Sequence, residues 1–192
     1  MIEKKIHYIW FGNSKPEKVL KCIESWKEKL PDYEIIEWNE KNFDVEKELK
    51  ENKFFKECYQ RKLWAFVADY VRVKVYEYGG IYFDTDIEVL KSFDDLLNTE
   101  IFLGYENDSK GINLAVIGIK KKHIVMKKMI EFYEEKIWKS PLYIITGILN
   151  NVIKEIYGEN FHENSEIKIY PKEYFYPYNH DEVFKPECIK EN

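Results

Sequence analysis

The chain opens with an alternation of periodicities that leaves few folds available. "KIHYIWFG", Lys5 to Gly12, is a β-rich run closed by Gly12 and Asn13, which predicts a strand. "KPEKVLKCIESWKEKLP" follows, with Pro16 suited to a first helical turn and Pro31 as a stop. Within it Val19, Leu20, Ile23, Trp26 and Leu30 recur at helical spacing. "YEIIEW" then returns to strand character and ends at Asn39. Strand, helix and strand in that order predict a parallel crossover, and so an α/β sheet with helices packed against it.

Further along, "DVEKELKENKFFKECYQRK" reads as an irregular amphipathic helix. "LWAFVADYVRVKVYEY", Leu63 to Tyr78, is a stronger one, with an expected sheet-facing stripe of Ala65, Ala68, Val71, Val75 and Tyr78. Gly79 and Gly80 supply a left-handed stop. A minimal strand, "IYF", comes next, and "IEVL" looks like another a few residues on. "TEIFLGYEN" and "NLAVIGIKK" predict two strands paired around "NDSKG". "HIVMKKMIEFYEEKIW" and "IITGILNNVIKEIYG" predict helices separated by Ser140-Pro141. "EIKIYPKEYFYPY" predicts a final edge strand. The expectation is a single domain over residues 1–192.

Charge narrows the function classes. The formal net charge is −5 with Lys and Glu interspersed, so there is no basic groove and no nucleic-acid partner is expected. No apolar run approaches the roughly 18 residues of a membrane span. The N-terminus lacks the long apolar stretch and small-residue cleavage site of a signal peptide. Cys22, Cys58 and Cys188 are odd in number and widely spaced, which suggests reduced thiols and a cytoplasmic protein.

Chemistry concentrates in "GGIYFDTDIE", where Asp84 and Asp86 follow a short apolar strand. Spaced one apart in a strand, they would share a face; at a strand end, both can turn into the crevice where α/β sheets bind ligands. Two adjacent carboxylates repel unless a cation lies between them, and oxygen ligands suit magnesium or manganese shared with a substrate phosphate. A lone D-x-D also occurs in solvated loops; the glycines and the strand before it favour the metal. Upstream, Asp69 and Arg72 lie three apart on one helix face. They read equally well as a local ion pair or as groups for sugar hydroxyls and phosphate. Trp10, at the end of the first strand, could stack on a base or sugar or lie in the core.

Taken together, "IHYIWFG" and "AFVADYVRVKVYEYGGIYFDTDIEVLKSFDDLL" resemble glycosyltransferase family 32, the DXD-containing sugar-binding region found in capsular polysaccharide transferases and yeast initiating mannosyltransferases. They also resemble the glucosyltransferase domains of the large clostridial toxins. The resemblance runs from the first strand to about Tyr178. It implies a GT-A fold, a mixed Rossmann-like nucleotide-binding sheet flanked by helices, with a divalent cation, manganese or magnesium. It implies transfer of a sugar, with retention, from a UDP- or GDP-sugar to a glycan or lipid-linked acceptor, as in bacterial surface polysaccharide synthesis. By motif position, Ile9 and Trp10 would contact the base, Asp69 and Arg72 the donor sugar, and Tyr82 the donor. Asp84 would reach the ribose and metal-bound water, Asp86 would ligate the metal directly, and Asp84, Asp86 and Arg72 form the implied catalytic set.

Two departures stand against the family pattern. A Thr-Gly-Pro helix start is here Thr146-Gly147-Ile148, and the chain stops at "FKPECIKEN", where many members begin a His-containing segment and a closing Ser-x-Trp. His180 lies too early to replace that segment, so a truncated domain is one expectation. A nucleotide-sugar-binding module without turnover is a second reading. A haloacid-dehalogenase-like phosphatase is a third, weakened by Glu88 where that family places Thr or Val. The C-terminal Lys and aromatic residues suggest peripheral contact with a membrane-bound acceptor at the inner face.

Overall fold

The computed structural model describes residues 1–12, 14–108 and 111–178; Asn13, the centre of the "NDSKG" turn, His180 and Cys188 lie outside them. Five of the strands run parallel and one runs against them. They are β1 (Lys5–Ile9), β2 (Glu34–Trp38), β3 (Gly80–Phe83), β4 (Ile101–Tyr105), β5 (Ile112–Ile119) and β6 (Ile167–Tyr170), in the sheet order β2-β1-β3-β5-β4-β6. β1 pairs in parallel with both β2 and β3, while β5 is antiparallel to β3 and β4. The expected crossover is present, α1 (Glu17–Lys29) linking β1 to β2. The chain then returns on the other side of β1 to form β3, so the order reverses there. Such a reversal opens a crevice at the carboxyl ends of the strands. β6 lies at the sheet edge as expected, but the strand ends at Tyr170, before Pro171, and a short helical turn at Lys172–Tyr174 follows.

Two cores flank the sheet. On one face α1 buries Trp26 against Phe83, with Val89, Phe93 and Phe102 around them. On the other lie α2 (Val45–Glu51), α3 (Lys53–Gln60), α4 (Trp64–Val75), α5 (Ile124–Glu131) and α6 (Ile145–Tyr157). The single helix expected over residues 44–62 is two. Asn52 takes extended geometry and its side chain accepts from the Phe55 amide at 2.8 Å, so it ends α2 and caps α3.

The stripe expected on α4 is shifted. Ala65 and Tyr78 are exposed and Ala68 is half-buried, whereas Val67, Tyr70, Val71 and Val75 are buried. The last residues of the expected helix tighten into a separate 3₁₀ turn, Tyr76–Tyr78, which rotates Tyr78 outward. On α1, Leu20 is exposed while its neighbours Val19 and Ile23 are buried. "IEVL" is not a strand but a loop.

Gly79 ends the 3₁₀ turn and Gly80 starts β3, with φ of 70° and 110°. A side chain on Gly80 would sit 2.8 Å from the Lys5 carbonyl oxygen of the adjacent strand, so both conformation and close approach demand glycine. His7 holds the same corner. Its Nδ1 accepts from the Trp38 indole at 3.0 Å, so Nε2 carries the proton and donates to the Gly79 carbonyl at 2.8 Å. Burial lowers the His7 pKa, which keeps the ring neutral in this structural role.

Candidate active site

β3 delivers its side chains alternately to the two cores. Ile81 and Phe83 face α1, and Tyr82 faces α4. Asp84 follows on the α4 side and is fixed at both ends. Its amide donates to the Ala115 carbonyl on β5 at 2.8 Å. Its Oδ1 accepts from Arg72 Nη2 at 2.6 Å and from the Tyr82 hydroxyl at 2.9 Å.

Arg72 is the buried centre of this cluster. It also donates from Nη1 to the Leu114 carbonyl at 3.1 Å, and its guanidinium lies 4.3 Å from the Tyr82 ring centroid. Burial opposes its charge, but the surrounding Tyr82, Asp84, Tyr76 and Asp69 hold its pKa above the usual range. Asp69 Oδ1 is more distant, at 3.7 Å. The local pair three residues apart is therefore the weaker contact, and the long-range one to Asp84 is the tight one. Burial pushes the Asp69 carboxyl up to about 6, only partly offset by Arg72.

Asp86 is placed differently. Thr85 and Asp86 form a turn, closed by the Ile87 amide donating to the Asp84 carbonyl at 3.1 Å. The two carboxylates thus do not extend a strand face: Asp84 is half-buried and bonded, and Asp86 is exposed. Both still border one cleft of about 340 Å³, the crevice at the strand ends. Its remaining walls are Ile9 at the end of β1, Trp10 and Phe11 just after it, Trp64 and Ala68 on α4, Tyr82 and Thr85. Of the residues singled out from sequence, Ile9, Trp10, Tyr82, Asp84 and Asp86 meet at this cleft. Arg72 underlies it through Asp84, and Asp69 lies beside Arg72 without lining the wall.

Phe11, Trp64, Ala68 and Thr85 were not foreseen. For two of them the signal was available: counting back from Arg72 by four and eight gives Ala68 and Trp64, one face of α4. Trp64 is held edge-on to Tyr59, with ring centroids 5.6 Å apart.

The donor set fits an open site for a hard divalent cation. Two carboxylates stand on either side of Thr85, and both bonds to Asp84 fall on Oδ1, leaving Oδ2 for a ligand. Among the described residues no group of three or more His, Cys, Asp or Glu could enclose a metal. A cation here would need oxygens from a bound phosphate and water to fill its shell.

Residues 16–103 match the family described as "Glycosyltransferase sugar-binding region containing DXD motif". The resemblance read from the sequence is to this region. Among curated proteins, the chain is 32% identical over 124 residues to inositol phosphoceramide mannosyltransferase 3 of Schizosaccharomyces pombe, covering 64% of this chain and 34% of that one. It is 30% identical over 118 residues to subversion of eukaryotic traffic protein A of Legionella pneumophila, covering 49% of this chain and 18% of that one. The chain thus spans about a third or less of the curated relatives it matches. Among solved structures, the PaToxG glycosyltransferase superposes with a TM-score of 0.63 at 16% identity, over 81% of this chain and 70% of that one. The UDP-bound glycosyltransferase domain of the YGT toxin gives 0.57 at 10% identity, over 88% and 79%. The fold is the GT-A fold of these glycosyltransferases.

Proposed function

We propose that the chain is a single glycosyltransferase domain that moves a sugar from a nucleotide-sugar donor to an acceptor hydroxyl, with a divalent cation and with retention at the anomeric carbon. The observation that carries this reading is the cleft itself. Aromatic residues Trp10, Phe11 and Trp64 stand with the carboxylates Asp84 and Asp86, at the switch point of the sheet. Flat rings suit a base or a sugar face, and paired carboxylates suit the cation that accompanies a diphosphate. The UDP-bound state of one structural neighbour supports a nucleotide donor.

When bound, manganese or magnesium at Asp84 and Asp86 would supply Lewis acidity toward the leaving diphosphate. The chain's own residues do the rest. Arg72 and Tyr82 fix the Asp84 carboxylate and keep Oδ1 occupied, so its second oxygen is presented in one orientation. Asp69 binds donor sugar hydroxyls, Arg72 acts from beneath the cleft by orienting Asp84, and Ile9 and Trp10 bind the base. Tyr82 closes the floor. None of the described histidines borders the cleft, which agrees with a route in which the departing phosphate, and no protein base, takes the acceptor proton.

The acceptor is a glycan or a lipid-linked glycan, and the reaction belongs to surface polysaccharide assembly at the cytoplasmic face of a membrane. The mannosyltransferase among the relatives supports the sugar chemistry. Incubation of the chain with labelled UDP- and GDP-sugars, manganese and candidate acceptors tests the proposal. Sugar transfer with retained anomeric configuration supports it. Metal-dependent donor binding with neither transfer nor hydrolysis would make the chain a binding module instead, and phosphate-ester hydrolysis without sugar transfer would reject it.

A further inference from the structure

The turn that carries Asp86 is held from the face of the sheet opposite Arg72. After Asp86 the chain runs on as a loop, Ile87–Leu90, that joins no strand. Two side chains of α1 take its backbone groups. Trp26, fully buried, donates from Nε1 to the Ile87 carbonyl at 2.7 Å. Ser25 Oγ accepts from the Val89 amide at 2.9 Å and donates to the Cys22 carbonyl at 2.6 Å, one turn back on its own helix. Each bond is therefore anchored in rigid helix. The Trp26 ring itself is wedged between Tyr8 and Phe83, with centroids 5.4 Å from each. For a fully buried hydrophobic position Phe or Leu would suffice; what Trp adds is an indole N–H, and that N–H is spent on the residue following Asp86.

We propose that Ser25 and Trp26 are positioning residues that set the exposed carboxylate of Asp86 opposite the fixed carboxylate of Asp84, and so determine the affinity of the site for a cation-bound nucleoside diphosphate. This rests on the transferase reading above. The asymmetry of the two carboxylates requires such a device. Asp84 is tied through its side chain by Arg72 and Tyr82. Asp86 is exposed, so its position follows from the backbone of its turn, and that backbone is held at Asp84 on one side and at Ile87 and Val89 on the other. Removing the second anchorage leaves Asp86 on a loop secured at one end.

Ser25→Ala, Ser25→Thr and Trp26→Phe, in the full chain, separate positioning from simple stability. Two readouts are taken at a temperature where all variants are folded. They are hydrogen exchange of the 85–90 amides without ligand, and manganese-dependent binding of UDP by calorimetry, with GDP in parallel. Loss of one such hydrogen bond is worth roughly five- to ten-fold in an equilibrium. Ser25→Ala and Trp26→Phe should speed exchange in residues 85–90 selectively and weaken diphosphate binding by about that factor, and Ser25→Thr, which keeps the hydroxyl, should restore both. Variants that lose thermal stability yet bind diphosphate as the wild type does, or exchange faster everywhere equally, overturn the inference alone. Wild type that binds neither diphosphate with manganese overturns the transferase reading, and this inference with it.

Discussion

Arg72 Nη2 lies 2.6 Å from Asp84 Oδ1, across the gap between α4 and the end of β3. The pair joins the helix that walls the cleft to the strand that delivers the DXD turn. Because Arg72 is buried, removing it strands a carboxylate and opens a cavity at once. Arg72→Ala should cost on the order of 3–5 kcal/mol, read by urea unfolding. Arg72→Lys keeps the charge but cannot reach both Asp84 and the Leu114 carbonyl with a planar fork, so it should fall between the two. A loss below about 1 kcal/mol for the alanine variant would mean that this buried pair does not hold the site together.

Tyr82 contributes one hydrogen bond to the same oxygen and a ring face to Arg72. Tyr82→Phe keeps the ring and should cost about 1 kcal/mol, whereas Tyr82→Ala should cost about 3–5 kcal/mol through lost packing. No loss for Tyr82→Phe in the same unfolding assay would contradict the assignment of the hydroxyl to Asp84.

Asp69 gives the site a pH dependence. Burial raises its carboxyl from the usual 3.8 to about 6, so the folded state holds its proton over a range where the unfolded chain has released it. Stability from this group is full below the unfolded value and is lost as pH rises to about 6. Donor binding should run the other way, because an ionised Asp69 accepts hydroxyl hydrogen bonds and a protonated one accepts fewer. Affinity for a nucleotide-sugar should therefore fall below about pH 6, and in Asp69→Asn this limb should flatten in calorimetric titrations across pH 5 to 8. A wild-type limb that survives in Asp69→Asn would assign it to another group.

The corner at Gly80 is a test of the fold more than of chemistry. A methyl group there meets backbone 2.8 Å away at a φ of 110°. Gly80→Ala should cost about 1–3 kcal/mol or more, because the nearest atom is a carbonyl oxygen of β1 that cannot turn aside. Thermal melting that is unchanged in this variant would contradict the close packing of β1 on β3.

What the sequence made legible is what local pattern encodes. The opening strand, helix and strand, the glycine stop before β3 and the strand pair β4–β5 all rest on neighbours a few residues apart. The D-x-D at the strand end was legible for the same reason. The contacts missed are long-range. Nothing near Asp69 and Arg72 discloses that the arginine turns away from its helical neighbour to a carboxylate twelve residues on. The loop at Ile87–Leu90 has strand-like residues but no free strand beside it, since Ser25 and Trp26 already take the Val89 amide and the Ile87 carbonyl. The α4 stripe was misplaced because apolar residues run most of the way round that helix: Val67, Tyr70 and Val73 are buried along with Val71 and Val75, while Trp64 and Ala68, on the face of Arg72, border the cleft.

The central claim is that Asp84 and Asp86 hold a cation that holds a diphosphate. The most direct test is calorimetry of a panel of nucleotide-sugars, with and without manganese, on wild type and Asp86→Ala. The expected result is binding of one donor that requires manganese and is lost in Asp86→Ala, while the variant, altered at an exposed position, keeps the wild-type melting temperature. Donor binding that persists in Asp86→Ala, or is the same without any divalent cation, would contradict it.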